Sequence, residues 1–231
     1  MKARLHETLS VHAVVAGDNA LVADVETQLH ALEDWPDFPT GPFARGETRR
    51  SQNFIWYDVK DGQFTRIRSA HYRYLAASEV APDTAARADD GISVEGFSRY
   101  IDAFNHDDYT TFGDYYDDDV VLVIAGKREL RGRQAIFDFY RKIKSQARRT
   151  IEINAVVTSG NQLAAELQSE FVALVDVPDF AAGPLRRGER LFINTVVLYE
   201  LRDGRFTDIR SAELRKIRRT RDLPTGGKSQ P

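Results

Sequence analysis

Residues 93–125, SVEGFSRYIDAFNHDDYTTFGDYYDDDVVLVIA, carry the chain from helix to strand, and the fold turns on how they are read. Ser93 is a favoured N-cap type, and Glu95 places a carboxylate in the first turn, where the helix dipole stabilises it. Gly96 occupies the position at which a full capping box needs Glu or Gln. The stronger signal is the spacing of Phe97, Tyr100, Ile101 and Phe104, which predicts one apolar face and a helix over residues 93–105. Tyr109, Phe112, Tyr115 and Tyr116 predict a second short helix closed by Asp117, Asp118 and Asp119, and Val120 to Ala125 reads as a strand.

Downstream, Ile136, Phe137, Phe139, Tyr140 and Ile143 follow Gly132 at helical spacing and predict a third helix. Everything after it reads as strand. Ile151, Ile153, Ala155 and Val157 alternate with other residues, Ser159-Gly160-Asn161 turns the chain, and Leu163, Ala165, Leu167, Ser169, Phe171 and Ala173 alternate again. Residues 190–201 and 205–217 flank Asp203-Gly204, the pair that best fits a two-residue hairpin turn. Helices followed by a meandering antiparallel sheet define an α+β class.

The same strands occur twice. At an offset of 142, residues 12–75 align without a gap on 154–217, and 27 of the 64 positions are identical. Coincidence would give about four at average residue usage. The shared signature includes DWPDF (34–38) against DVPDF (176–180), and DGQFTRIRSA (61–70) against DGRFTDIRSA (203–212). Two copies at so long a period make a duplicated unit and not a solenoid. The copies are unequal, since the helical residues 92–150 precede only the second. The expected organisation is a strand-only partial copy over 1–75, a linker over 76–91 rich in Ala, Asp and Glu, a complete unit over 92–218 and a tail over 219–231 with little to bury.

The 231 residues, 42% hydrophobic and 29% charged, suit a globular protein with a packed core. A formal charge of −3 gives no overall field to draw nucleic acid or an anionic membrane, and no run reaches the 18 or so apolar residues of a membrane span. The amino terminus lacks the apolar block of a signal peptide, so a cytoplasmic location is expected. The absence of Cys removes disulfides, thiolate nucleophiles and Cys-based zinc sites.

The motifs RYIDAFNHDDY (99–109), YYDDDVVL (115–122) and GRQAIFDFYR (132–141) resemble the SnoaL-like and ketosteroid isomerase branches of the nuclear transport factor 2-like superfamily. The resemblance covers residues 92–217 fully and 8–75 in part. It implies a cone-shaped fold in which three helices lie on a curved sheet around a pocket. It also implies cofactor-independent acid–base chemistry, as an isomerase, dehydratase or related lyase, on a hydrophobic aromatic, polyketide-like or terpenoid molecule. Formaldehyde-releasing lyases of lignin-derived dimers are one variant and a non-catalytic binding or assembly module is the rival, because fold does not fix function. Superfamily members dimerise through their sheets, which implies a homo-oligomer or, here, an intrachain pseudo-dimer of the two copies.

Carried over residue by residue, the oxyanion tyrosine of the isomerase falls on Tyr100, and the two tyrosines that bond to it fall on Tyr116 and Tyr140. Buried phenols donate well to a developing enolate, and neighbouring phenols are expected to lower the donor's pKa. Both aspartates of that enzyme are missing: its general base falls on Ile124 and its protonated oxyanion partner on Val196. A replacement depends on which way the strand around 163–174 faces. If its polar set points inward, Glu166 and Glu170 are buried carboxylates suited to proton transfer, with Gln168 beside them; if outward, they are a solvated face. The same parity brings Asn194 and Glu213 towards the pocket. Tyr100, Tyr116, Tyr140, Glu170 and Glu213 are therefore the expected catalytic set. Phe104, Phe112, Ile124, Phe139, Gln168, Asn194 and Val196 are the expected lining.

His106, in a turn beside Asp107 and Asp108, reads as solvent-facing, and no second cluster completes a metal site. No phosphate loop, nucleophile elbow, HExxH or dinucleotide fingerprint occurs, so no cofactor is expected. Arg68 and Arg210 recur at matching positions and could hold an anion or pair with Asp34 or Asp176. The first copy, lacking helices, is expected to leave Val14, Leu21, Val25, Leu29, Phe54 and Trp56 uncovered, with an open concavity at Trp35, Phe38, Trp56, His71 and Tyr72.

Overall fold

The computed structural model describes residues 4–76 and 91–219; the expected linker, all but its two ends, and the expected tail beyond Arg219 lie outside these residues. The first copy supplies β1 (Leu5–Ala16), β2 (Ala20–Ala31), β3 (Thr48–Lys60) and β4 (Gln63–Leu75). The second region supplies α1 (Val94–Asn105), α2 (Tyr109–Gly113), β5 (Tyr116–Ile124), β6 (Arg128–Arg131) and α3 (Arg133–Gln146). It ends with β7 (Ala147–Ser159), β8 (Gln162–Ala173), β9 (Arg190–Arg202) and β10 (Arg205–Arg219). Ser93 caps α1 through its hydroxyl, which accepts from Gly96 N at 3.1 Å, and Phe97, Tyr100, Ile101 and Phe104 form the buried face. Two expectations shift. The second helix stops at Gly113, because Tyr116 already pairs with Phe206 as the first residue of β5. β5 also runs parallel to β10, in an otherwise antiparallel sheet.

Both Asp-Gly turns adopt the positive φ that a two-residue hairpin of this hand requires, with Asp61 at 52° and Gly62 at 73°, and Asp203 at 52° and Gly204 at 71°. The strand order is β1-β2-β3-β4-β10-β9-β8-β7. It reads symmetrically outward from the β4–β10 junction, and that junction is the pair His71 and Glu213, which are each other's counterparts at the offset of 142. The symmetry extends to packing. One core cluster contains Val15 with Val157, Val22 with Ala164, Phe54 with Val196, Trp56 with Leu198 and Ala70 with Ala212, all counterpart pairs. A self-complementary surface of this kind is what a twofold interface requires.

Two arginines repeat the rule. Arg210 reaches across to Asp24 Oδ2 at 2.6 Å, and Arg68 reaches back to Glu166 Oε2 at 2.9 Å; Asp24 and Glu166 are counterparts, as are the arginines. Arg210 also meets Asp208 at 2.9 Å and Glu200 at 3.2 Å, and Arg68 meets Asp58 at 2.5 Å. Neither arginine pairs with Asp34 or Asp176. Those carboxylates instead accept from the backbone N–H of Arg45 and Arg187 within their own loops, at 2.8 and 2.7 Å.

The expected exposure of the first copy holds for Val14 and in part for Leu21 and Leu29, and is corrected by strand parity for Val25, Phe54 and Trp56. Phe54, Trp56 and Tyr72 are buried on the face shared with the second copy, and Val25 is buried too. The uncovered side is the opposite face, where Leu9 (58%), Val11 (61%), Phe64 (59%) and Ile67 (59%) are open. Their counterparts Ile151, Ile153, Phe206 and Ile209 belong to the core beneath the helices of the second unit.

Candidate functional site

α1 is fixed over the sheet by Asn105, whose side chain mimics a strand partner: its Nδ2 donates to Ile151 O and its Oδ1 accepts from Ile151 N, both at 2.8 Å. This sets Tyr100, one turn and a half earlier, over a cavity of about 300 Å³ between α1, α3, β5 and the concave face of β7–β10. That volume lies at the small end of ligand sites, which run from about 300 to 1,000 Å³. The wall is mainly apolar, with Ile101, Leu122, Ile124, Phe139, Phe171 and Ile193 among its members, and Tyr199 also lines it. Polar groups enter at a few points: Tyr100, Tyr140, Arg149, Ser169, Thr195, Ser211 and Glu213, with Lys127 and Lys216.

Tyr100 is 4% exposed, and its hydroxyl lies 2.8 Å from that of Tyr116, which is fully buried and does not reach the cavity. The expected lowering of the Tyr100 pKa is reversed. Burial is the largest influence and the nearby Tyr140 adds to it, so the Tyr116 hydrogen bond only partly offsets a rise. Burial likewise raises Tyr140, Tyr116 and Tyr199. These phenols are therefore neutral donors across the physiological range.

The structure brings five of the sequence-selected residues to the cavity wall: Tyr100, Tyr140, Ile124, Phe139 and Glu213. Glu213 stands at the mouth, 43% exposed, with Lys216 Nζ 3.2 Å from its carboxylate. The others go elsewhere for reasons of register. On β8, Leu167, Ser169 and Phe171 line the cavity, so alternation turns Glu166, Gln168 and Glu170 to the opposite face. Glu170 there lies 3.4 Å from Arg190, and Gln168 donates to Glu152 at 3.3 Å. On β9, Ile193, Thr195 and Val197 face the cavity, which sends Asn194 away and puts Val196 in the core shared between the copies. Phe104 and Phe112 are packed in the interior behind the wall and line nothing open. His106 is exposed, with its Nδ1 2.9 Å from Asp102 O.

Sequence reasoning missed Arg149, Ser169 and Thr195. All three sit on strands whose inward parity only the register fixes, and Arg149 follows Arg148 in a segment that reads as the charged end of a helix. The available signal was the alternation of Ile151 and Ile153, which continues backward onto Arg149.

Residues 97–209 match the family model described as a SnoaL-like domain. No curated protein matches the chain. Among solved structures, the chain is similar to an LEH-like epoxide hydrolase of M. tuberculosis, at 17% identity over 52% of this chain and 80% of that one, TM-score 0.43. It is similar to the epoxide hydrolase/cyclase-like enzyme SalBIII, of pyran ring formation in the polyether salinomycin, at 21% identity over 51% and 86%, TM-score 0.42. A protein with a ketosteroid isomerase-like fold from Catenulispora acidiphila, in complex with trimethylamine, aligns at 14% identity over 52% and 85%, TM-score 0.41. Helices over a curved sheet with a cavity between them occupy the matched span, so residues 97–209, just under half of the chain, are similar to a SnoaL-like domain.

Proposed function

We propose that the protein is a cofactor-independent acid–base enzyme acting on a hydrophobic, ring-bearing small molecule of aromatic, polyketide-like or terpenoid character, as an isomerase, dehydratase or related lyase. The observation that carries this reading is the buried Tyr116–Tyr100 hydroxyl pair ending at an apolar cavity. With Tyr116 donating to Tyr100, the Tyr100 O–H is left to donate to a substrate oxygen as negative charge develops on it. A preorganised donor in a water-poor site is worth most when that charge appears, and a phenol with a raised pKa gives hydrogen bonding without losing its proton. Glu213, the one carboxylate among the lining residues, is the candidate acceptor of the substrate proton, held by Lys216.

The second reading, a binding module, is favoured by Ile124 standing where the isomerase has its base and by the exposure of Glu213. Bicyclic aromatic ketones such as 1-tetralone separate the two. Proton NMR in D2O should show the protein accelerating exchange of the protons next to the carbonyl. Tyr100→Phe should slow that exchange by about 10²-fold, the scale of one lost oxyanion donor. Glu213→Gln should abolish it while binding persists. Exchange unchanged in Tyr100→Phe removes Tyr100 from the mechanism, and binding with no exchange in the unmodified protein supports the binding module.

A further inference from the structure

Arg149 projects from β7, directly opposite Phe171 on β8, into the cavity. Its guanidinium lies among aromatic rings, 5.2 Å from the centroids of Phe104 and Phe171 and 5.4 Å from that of Tyr140. Its Nη2 donates to Ser169 Oγ at 3.2 Å, and its Nε is buried with no hydrogen-bond partner. Among the described residues no carboxylate lies within 4 Å of it. Other buried or half-buried arginines differ sharply: Arg210 meets three carboxylates, Arg68 two, and Arg50 is 2.7 Å from Glu26. A guanidinium offers five donors in a planar fork, so a partly buried one whose polar partners are the Ser169 and Tyr140 hydroxyls, with three ring faces around it and no carboxylate, is incomplete.

The rest of the lining has the same sign. Arg149, Lys127 and Lys216 face one carboxylate, Glu213, in a protein whose formal net charge is −3. Lys144, packed over the Phe104 ring, is already matched by Asp107.

Resting on the reading of this cavity as a small-molecule site, we propose that its ligand is an anion: a ring-bearing carboxylic acid whose carboxylate is taken by Arg149, with Ser169 alongside, while the ring lies against the apolar wall. A carboxylate matches the guanidinium fork with two parallel hydrogen bonds and completes the charge balance that the protein leaves open.

The test compares 2-naphthoate with 2-naphthamide, which have the same ring and differ in charge, by isothermal titration calorimetry on the full chain. Unmodified protein should bind the naphthoate at least about tenfold tighter than the amide, as expected for a charged hydrogen-bonded pair. Arg149→Gln should bring the ratio near one while amide binding is retained, and Arg149→Lys should keep part of the preference, since it retains charge but not the fork. Arg149→Met, with circular dichroism on each variant, guards against a folding effect confined to one substitution. Equal affinities in the unmodified protein, or a ratio unchanged in Arg149→Gln and Arg149→Met, overturn the anion inference and leave the cavity reading intact. Binding of 1-tetralone without binding of naphthoate does the same. Failure of all three probes overturns both.

Discussion

Arg210→Met tests whether the two copies depend on one another. Arg210 is 7% exposed and Asp24 is fully buried, and the 2.6 Å bond between them spans 186 positions of sequence. Among the described residues, removal of the guanidinium leaves Asp24 with the Gln52 amide, at 2.8 and 2.9 Å, and strands Asp208 and Glu200 beside it. Breaking a buried pair by deleting one partner costs about 3–5 kcal/mol, because the remaining charge stays in a poorly solvating site. Against a total stability of about 5–15 kcal/mol, that is a large fraction. Arg68→Met is the internal control. Its partners Asp58 and Glu166 are 34% and 12% exposed, so water can replace part of what is lost, and about 1.5–3 kcal/mol is expected. Urea unfolding followed by tryptophan fluorescence reads both, since Trp56 lies in the shared core. The Arg210→Met deficit should also be greater at pH 8 than at pH 5, because protonating the stranded carboxylates relieves it. A cost below about 1 kcal/mol, or one equal to that of Arg68→Met at every pH, would refute the reasoning, since neither fits a desolvated three-carboxylate cluster.

Other outcomes follow from the same geometry. Burial pushes Asp208 and Glu200 above their ordinary values of 3.8 and 4.5, so the folded chain keeps protons that the unfolded chain has released. Their contribution to stability is full below those ordinary values and is lost as pH rises through the folded ones, and Glu200→Gln should flatten that stretch of the stability–pH curve. Trp56→Ala should cost about 3–5 kcal/mol by opening a cavity between the copies, whereas Ile67→Thr, on the uncovered face, should stay within about 0.5 kcal/mol; equal effects would mean the parity is wrong. Gly126 has φ 61°, and a Cβ there would stand 2.8 Å from Tyr72 O and 2.5 Å from Arg73 Cβ, so Gly126→Ala should lower the melting temperature by forcing the β5–β6 turn off β4.

Much of the architecture was readable because its signals are local or repeated. The apolar spacing of Phe97, Tyr100, Ile101 and Phe104 needs only a helix to make sense, and Asp203-Gly204 needs only a turn. The offset of 142 located the second copy from identity alone. What could not be read was which face of a strand turns inward. Alternation on β8 defines two faces without naming them, so Glu166, Gln168 and Glu170 were assignable to the cavity until the register put Ser169 and Phe171 there. Carry-over from the isomerase failed at Val196 for the same reason: a shift of one residue reverses a strand's faces. The bulges between Glu213 and Arg215, and between Ile153 and Ala155, reset parity along β10 and β7 in ways no propensity encodes. Arg149 was missed because a charged residue beside Arg148 at a helix-to-strand junction looks like surface until three rings surround it.

One strand connects the interface to the site. Along β10, Ile209, Ser211 and Glu213 face the cavity, while Asp208, Arg210 and Ala212 face the first copy. The two sets alternate residue by residue, so a displacement of Arg210 moves Ser211 and Glu213 with it. The convex face made by Ala164, Val196, Leu198 and Ala212 is an apolar stripe that would be open to water without β3 and its neighbours. Covering it from within the same chain makes the contact concentration-independent, since a tethered partner is present at an effective concentration of about millimolar or above. Among the described residues no helix lies on the other face of the first copy, and its shared face packs against the second copy at counterpart positions. Substitutions on the first copy's side of the interface, far from any ligand, should therefore change exchange rates at the cavity; if Asp24→Asn altered stability and left the tetralone exchange rate untouched, the strand would be too stiff to transmit the change and the support argument would fail.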